Sequence, residues 1–108
     1  MPKRHTAAEF REAVKHLQSV AGFCREYDVS FDRVADIDSS GDSELVDATG
    51  RFKIRVWSGC TLGEMWDTLI HESAHVLDWH PYTPYVRDHG PTWGVRYAEV
   101  YCRVWRVS

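Results

Sequence analysis

The residues best suited to chemistry form the pentapeptide His71-Glu72-Ser73-Ala74-His75, which has the pattern H-E-x-x-H. On an α-helix, side chains four residues apart lie on one face, so His71 and His75 can bind the same metal ion. Glu72 lies about 100° around the helix from His71, beside the ion rather than on it. The pattern therefore predicts a zinc-bound water activated by Glu72, the expected catalytic residue.

A third imidazole is available at His89, which is followed by Gly90 and Pro91. Glycine suits a helix N-cap and proline suits the first helical position, so a helix is expected to begin here. The positive end of the helix dipole disfavours a protonated imidazole, and zinc binds the neutral form. We therefore expect Zn²⁺ to be held by His71, His75 and His89, with the fourth position open.

Other residues are weaker candidates for the same site. His80 lies five residues beyond His75, about 140° around a continued helix, and Glu99 on the last helix would supply a carboxylate ligand instead. Three carboxylates, each also readable as a surface or capping group, are placed to orient the histidines. These carboxylates are Asp67, Asp78 and Asp88. The candidates for stabilising an oxyanion are Tyr82, Tyr85 and Arg87, and the sequence does not choose among them.

Helices are needed to present these residues, and their starts are marked clearly. Thr6 with Glu9 and Thr61 with Glu64 each have the spacing of a capping box, in which the two residues satisfy each other's backbone N–H groups. Apolar residues then recur at steps of three and four. The predicted helices cover about residues 6–25, 61–80 and 91–106.

Between the first two helices, alternating residues predict strands. The clearest is 51–57, where Phe52, Ile54 and Val56 face one side and basic residues face the other. Weaker patterns predict strands at 29–37 and 44–47. The expected fold is therefore α+β: an N-terminal helix, a small antiparallel sheet of about three strands, the H-E-x-x-H helix and a C-terminal helix.

The bulk composition limits the class of protein. A chain of 108 residues with 44% hydrophobic and 27% charged residues predicts a single soluble domain spanning 1–108, and we expect a monomer. No apolar run approaches the ~20 residues that span a membrane, and no secretory signal is expected. Cys24, Cys60 and Cys102 are too few and too widely spaced for a disulfide framework or a cysteine zinc site. A cytoplasmic location is the expectation.

The charge is unevenly distributed. Net charge is −3, and residues 26–47 are strongly acidic, which we interpret as a mixed, solvated surface. The stretch 36–47 resembles a calcium loop, but position twelve is aspartate rather than glutamate, so a polar hairpin connection is the better interpretation. Nucleic-acid association is a less favoured alternative and would use the basic residues of the two ends. These are Lys3, Arg4, Arg11, Lys15, Arg103 and Arg106.

The metal motif and the residues after it resemble a known family. H-E-S-A-H, a gap of 13 residues and H-G-P-T-W are similar to the SprT-like zinc metallopeptidases, over about residues 61–105. The resemblance implies a minimal zincin-like domain acting on a peptide or protein substrate. Some members of that family carry a cysteine zinc ribbon or DNA-binding regions, and neither feature occurs within these 108 residues. The resemblance thus implies the peptidase core.

The sequence predicts a zinc-dependent metallopeptidase in which Glu72 takes a proton from water and delivers it to the leaving amine. One alternative is a catalytically silent module that uses the metal only for stability while binding a partner. Glu72 favours the enzyme, because a purely structural zinc site has no need of a base beside it.

Overall fold

The computed structural model of the chain describes residues 3–23, 27–47, 50–79 and 90–106. Within these ranges the fold is α+β, as predicted, with three helices and a three-stranded sheet. The elements in chain order are α1 (Ala7–Val20), β1 (Asp28–Val34), β2 (Gly41–Asp47), β3 (Arg51–Trp57), α2 (Leu62–Leu77) and α3 (Pro91–Trp105).

Both predicted capping boxes are present. Thr6 accepts a hydrogen bond from the Glu9 N–H at 3.1 Å, and Glu9 accepts one from the Thr6 N–H at 2.8 Å. The same reciprocal pair joins Thr61 and Glu64 at the start of α2. At its other end α1 stops at Val20, earlier than the predicted residue 25. Gly22, with φ of 75°, ends the helix in a conformation that glycine adopts without strain.

The sheet has the strand order β1-β3-β2, and it is mixed rather than fully antiparallel as predicted. β2 pairs antiparallel with β3, whereas β1 pairs parallel with β3. The chain reverses direction once after β1 and again after β2, so β1 and β3 run the same way. Because β3 occupies the centre, that shared direction becomes a parallel pair. Local alternation does not reveal this order.

Opposite charges line the outer face of the sheet. Arg55 lies between Asp32 on β1 and Asp42 on β2, and Lys53 lies opposite Glu44. The Arg55 guanidinium donates to both carboxylate oxygens of Asp42, with Nε 2.8 Å from Oδ1, and this hydrogen bond raises the arginine pKa. The acidic stretch of the sequence is therefore largely a surface that flanks the basic row of β3.

The inner face of the sheet packs on α2 and forms the core. Phe52, Ile54 and Val56 are at most 4% exposed and alternate with the charged residues of β3. Leu69 and Met65 of α2 are fully buried in the same cluster. A central strand with one apolar and one charged face explains why 51–57 was the clearest strand in the sequence.

A buried histidine fastens the N-terminal segment. His5 is 1% exposed, and its Nδ1 donates to the Cys60 carbonyl at 2.8 Å. The Arg33 guanidinium can only donate, so His5 Nε2 accepts from it at 3.1 Å. This neutral tautomer joins the segment before α1 to β1 and to the segment before α2, and commits His5 to a structural role.

The calcium-like stretch 36–47 lies partly within the sheet. The second half of the calcium-like stretch forms β2, which pairs with β3. The expected hairpin connection is wrong, because β1 and β2 lie on opposite sides of β3 and residues 36–40 connect two strands that are not neighbours. Across the described ranges, no helix combines the length and the apolar character needed to cross a lipid bilayer.

Gly41 generates a testable prediction. A Cβ at this position would collide with the backbone oxygen of Arg55 and with the Thr68 side chain, where β2 lies against both β3 and α2. Gly41→Ala should lower the free energy of unfolding by roughly 1–3 kcal/mol. In α3, Gly94 has open space around it, so Gly94→Ala should raise stability by about 0.5–1 kcal/mol. Urea unfolding of both variants measures the two changes in stability. If the two substitutions changed the free energy of unfolding equally and in the same direction, the close approach of Gly41 to Arg55 and Thr68 would be contradicted.

Candidate metal centre

The two histidines of the motif converge on one point. His71 and His75 lie one turn apart on α2, and their Nε2 atoms are 3.2 Å apart. Two nitrogens bound to one tetrahedral zinc ion at 2.0–2.1 Å would be about 3.3 Å apart. The spacing therefore fits a shared metal ion, and it also allows an N–H···N hydrogen bond between the rings.

The remaining histidines divide into two groups. His5 is committed to Arg33 and Cys60, and His16 Nε2 bonds to the Val104 carbonyl at 3.1 Å between α1 and α3. His80 and the predicted third ligand, His89, lie outside the described residues. His71 and His75 are thus the two predicted metal ligands that lie within the described residues.

Carboxylates do not complete the pair within the described part of the chain. No group of three histidine, cysteine, aspartate or glutamate residues there is placed to hold a metal ion. Glu99, the alternative ligand, instead accepts a hydrogen bond from Arg96 at 3.3 Å, one turn away on α3. Among the described residues, the two histidines are therefore not joined by a third potential ligand.

Glu72 is buried and anchored to the sheet. Its side chain is 11% exposed, yet it lies directly beside the paired imidazoles, with Oε2 3.8 Å from His71 Nε2. Its other oxygen, Oε1, accepts a hydrogen bond of 2.7 Å from the Ser43 hydroxyl on β2. One carboxylate oxygen is therefore held by the sheet while the other faces the histidines. This is the geometry expected of a base that touches water rather than metal.

Trp93 of α3 covers both imidazoles. Its ring centroid lies 5.0 Å from that of His71 in an edge-on arrangement and 5.5 Å from that of His75. Tyr97, one turn further along α3, also contacts Trp93, with the ring centroids 5.2 Å apart. The aromatic contacts restrict the rotation of the two imidazoles, and the His71 side chain is still 35% exposed.

Two hydrogen bonds clasp α3 to α2 on either side of the site. The Thr92 hydroxyl donates to Asp78 at 3.2 Å, and the Tyr97 hydroxyl donates to Asp67 at 2.8 Å. Asp67 and Asp78 were predicted as groups orienting the histidines, and these contacts show them joining helices. Asp78 also forms the C-cap of α2, in line with the capping alternative. Asp88 lies outside the described residues, as do Tyr82, Tyr85 and Arg87.

The other predicted features occupy different places. α1 and α3 do pack together, as a basic patch from the two ends would require, but Arg103 donates to the Ala21 carbonyl at 3.0 Å and so caps the end of α1. The described cysteines, Cys60 and Cys102, are free thiols. Burial raises the pKa of the Cys60 thiol, which makes it a poor nucleophile and metal ligand.

Two residues of the site were missed in the sequence. Ser43 falls just before the predicted strand 44–47, and extending that strand by alternation would have placed it on the inner face with Leu45. Trp93 falls within the predicted helix 91–106, but its contact with the histidines depends on how α3 packs on α2.

The chain matches no model of a known protein family, no curated protein and no solved structure. Its function is therefore inferred from the chemistry and geometry of this site.

The clasp at Tyr97 predicts a specific response to alkaline pH. Burial, followed by the hydrogen bond to the Asp67 carboxylate, raises the Tyr97 pKa from 10.0 to about 12. A raised pKa means that the folded state favours the protonated phenol. The stabilisation is complete below the unfolded pKa of about 10 and is lost as the pH rises towards 12.

The stability difference between the parent and Tyr97→Phe should therefore shrink as the pH rises through that interval, measured by urea unfolding. Subtracting the tyrosinate absorbance of Tyr97→Phe from that of the parent isolates the Tyr97 titration. Asp67→Asn should move that titration to lower pH by removing one of its causes. A difference titration centred at the ordinary tyrosine value would contradict the clasp.

Proposed function

We propose that the chain is a zinc-dependent metallopeptidase of the SprT-like type that hydrolyses peptide bonds in a peptide or protein substrate. The observation that carries the proposal is a buried carboxylate, Glu72, beside two imidazoles whose Nε2 atoms are 3.2 Å apart. Burying a carboxylate is costly, and a protein that used the histidines only for stability would have no reason to bear that cost at this position.

His71, His75 and His89 would hold the ion. The first two have the spacing that a tetrahedral ion needs. In the sequence, His89 directly precedes Gly90, the N-cap of α3. In the first turn of α3, Thr92 donates to Asp78 and Trp93 contacts His71. When bound, zinc supplies Lewis acidity, which lowers the pKa of water and polarises the scissile carbonyl.

Glu72 performs the proton transfers. With Oε1 occupied by Ser43, Oε2 is the oxygen facing the histidines, and it accepts a proton from the attacking water. The same oxygen then delivers that proton to the leaving amine. Trp93 packs against both imidazoles and restricts their rotation, while the His71 side chain remains 35% exposed and so accessible to water.

The first test separates metal binding from turnover. Glu72→Gln has nearly the same shape as the parent side chain but cannot accept a proton, so it should retain zinc and lose peptide cleavage by at least about 100-fold. Metal quantification of the purified chain and digestion of a broad peptide library provide the two measurements. Glu99→Gln is the matched control, since Glu99 pairs with Arg96 away from the histidines. Cleavage by Glu72→Gln at the parental rate would overturn the mechanism.

The second test concerns the third ligand. His89→Ala should reduce zinc affinity by more than about 100-fold, because loss of a ligand costs more than loss of a group that merely orients one. His80→Ala is the informative comparison, since both histidines lie outside the described residues. Competition with a chromophoric chelator measures both affinities. A large loss in His80→Ala with none in His89→Ala would transfer the ligand role to His80.

A further inference from the structure

Ser43 lies on the inner face of β2, at a well-fixed position. It pairs with Ile54 of β3, and the neighbouring residue Asp42 pairs with Arg55. On the outer face of the sheet, the Arg55 guanidinium donates two hydrogen bonds to Asp42 and so holds this part of β2 against β3. The Ser43 backbone is therefore held by the sheet, and its side chain points towards α2.

The Ser43 hydroxyl contacts the buried carboxylate of Glu72. Its Oγ donates to Glu72 Oε1 at 2.7 Å, the usual distance for a hydrogen bond from a hydroxyl. The two residues are 29 positions apart in sequence and come from different layers of the fold. A carboxylate held at one oxygen cannot rotate freely about its terminal bond, so the second oxygen keeps its direction towards His71.

We propose that Ser43 is a positioning residue for Glu72, an inference that rests on the proposed peptidase function. By holding Oε1, Ser43 selects the side-chain conformation in which Oε2 faces the paired imidazoles. It also offsets part of the cost of burying the carboxylate. Ser43 does not touch the substrate or transfer a proton. Its contribution is to keep the base in the direction from which it can act.

The neighbouring serine provides a contrast. Ser73 adjoins Glu72 in the chain and is fully buried, but its Oγ has no hydrogen-bond partner among the described residues. Two hydroxyls thus lie near the base, one in the sheet bonded to it and one in the helix not bonded to it. Removing each in turn separates the specific hydrogen bond from the general effect of a lost hydroxyl.

Replacing Ser43 by threonine or by valine tests its role in turnover. The two side chains have nearly the same shape and both suit a strand, but only threonine retains the hydroxyl. Ser43→Val should lower kcat by about tenfold or more with little change in KM or zinc content, because only the direction of the base is lost. Ser43→Thr should recover most of the lost kcat. Equal kcat values for the two variants would overturn the proposal, as would a change in KM alone.

A double-mutant cycle provides a measurement that is independent of activity. Unfolding midpoints are compared for Ser43→Ala, Glu72→Leu, which has no side-chain acceptor, and the double variant, using the full chain as purified with its zinc content determined each time. The shifts should be non-additive, since the two residues share one hydrogen bond. The same cycle with Ser73→Ala in place of Ser43→Ala should be additive. Additive shifts for Ser43 would overturn the proposal.

The kinetic comparison and the double-mutant cycle distinguish a failure of the proposed peptidase function from a failure of the positioning role of Ser43. A parent chain that binds no zinc and cleaves no peptide would overturn the proposed function and, with it, the catalytic role of Ser43, while coupling in the cycle would still establish the hydrogen bond. A cleaving parent with no coupling and no loss in Ser43→Val would overturn the positioning role alone.

Discussion

The burial of the Glu72 charge is the constraint on which the site depends. The residue is 8% exposed, and a carboxylate in such a place is tolerated only when polar groups replace its water. The Ser43 hydroxyl supplies one hydrogen bond, and the other oxygen faces the imidazole of His71. Sheet and helix must therefore pack at one particular depth and rotation, because a small shift would leave the charge without its partner.

The architecture of the sheet makes that packing specific. β3 has an apolar face towards α2 and a basic face towards solvent, and the acidic residues of β1 and β2 flank the basic row. Turning a strand over would expose the apolar residues and bury charges, so the register is strongly determined. Gly41 then lets β2 approach α2 closely at the point where Ser43 reaches across. The charge pattern on the outer face thus contributes to the geometry of the inner face.

Features governed by neighbouring residues could be predicted from the sequence. The capping boxes at Thr6 and Thr61, the start of α3 at Pro91 and the strand 51–57 all depend on contacts within a few residues, and all are present. The convergence of His71 and His75 follows from the same local geometry. The parallel pairing of β1 with β3, the extension of β2 to Gly41 and the contact of Trp93 with the histidines depend on distant parts of the chain, which alternation and capping do not encode.

The same contrast between local and long-range contacts applies to the residues of the site. A single helix brings the two imidazoles together, so an isolated α2 would still present them on one face. The direction of the base comes from β2, and the aromatic cover comes from α3, which the Asp67 and Asp78 clasps hold against α2. The pairing of the two imidazoles and the direction of the proposed base therefore depend on different parts of the fold. Loosening the helix–sheet or helix–helix packing would disturb the environment of Glu72 before it separated the histidines, because the latter are joined by the backbone of one turn.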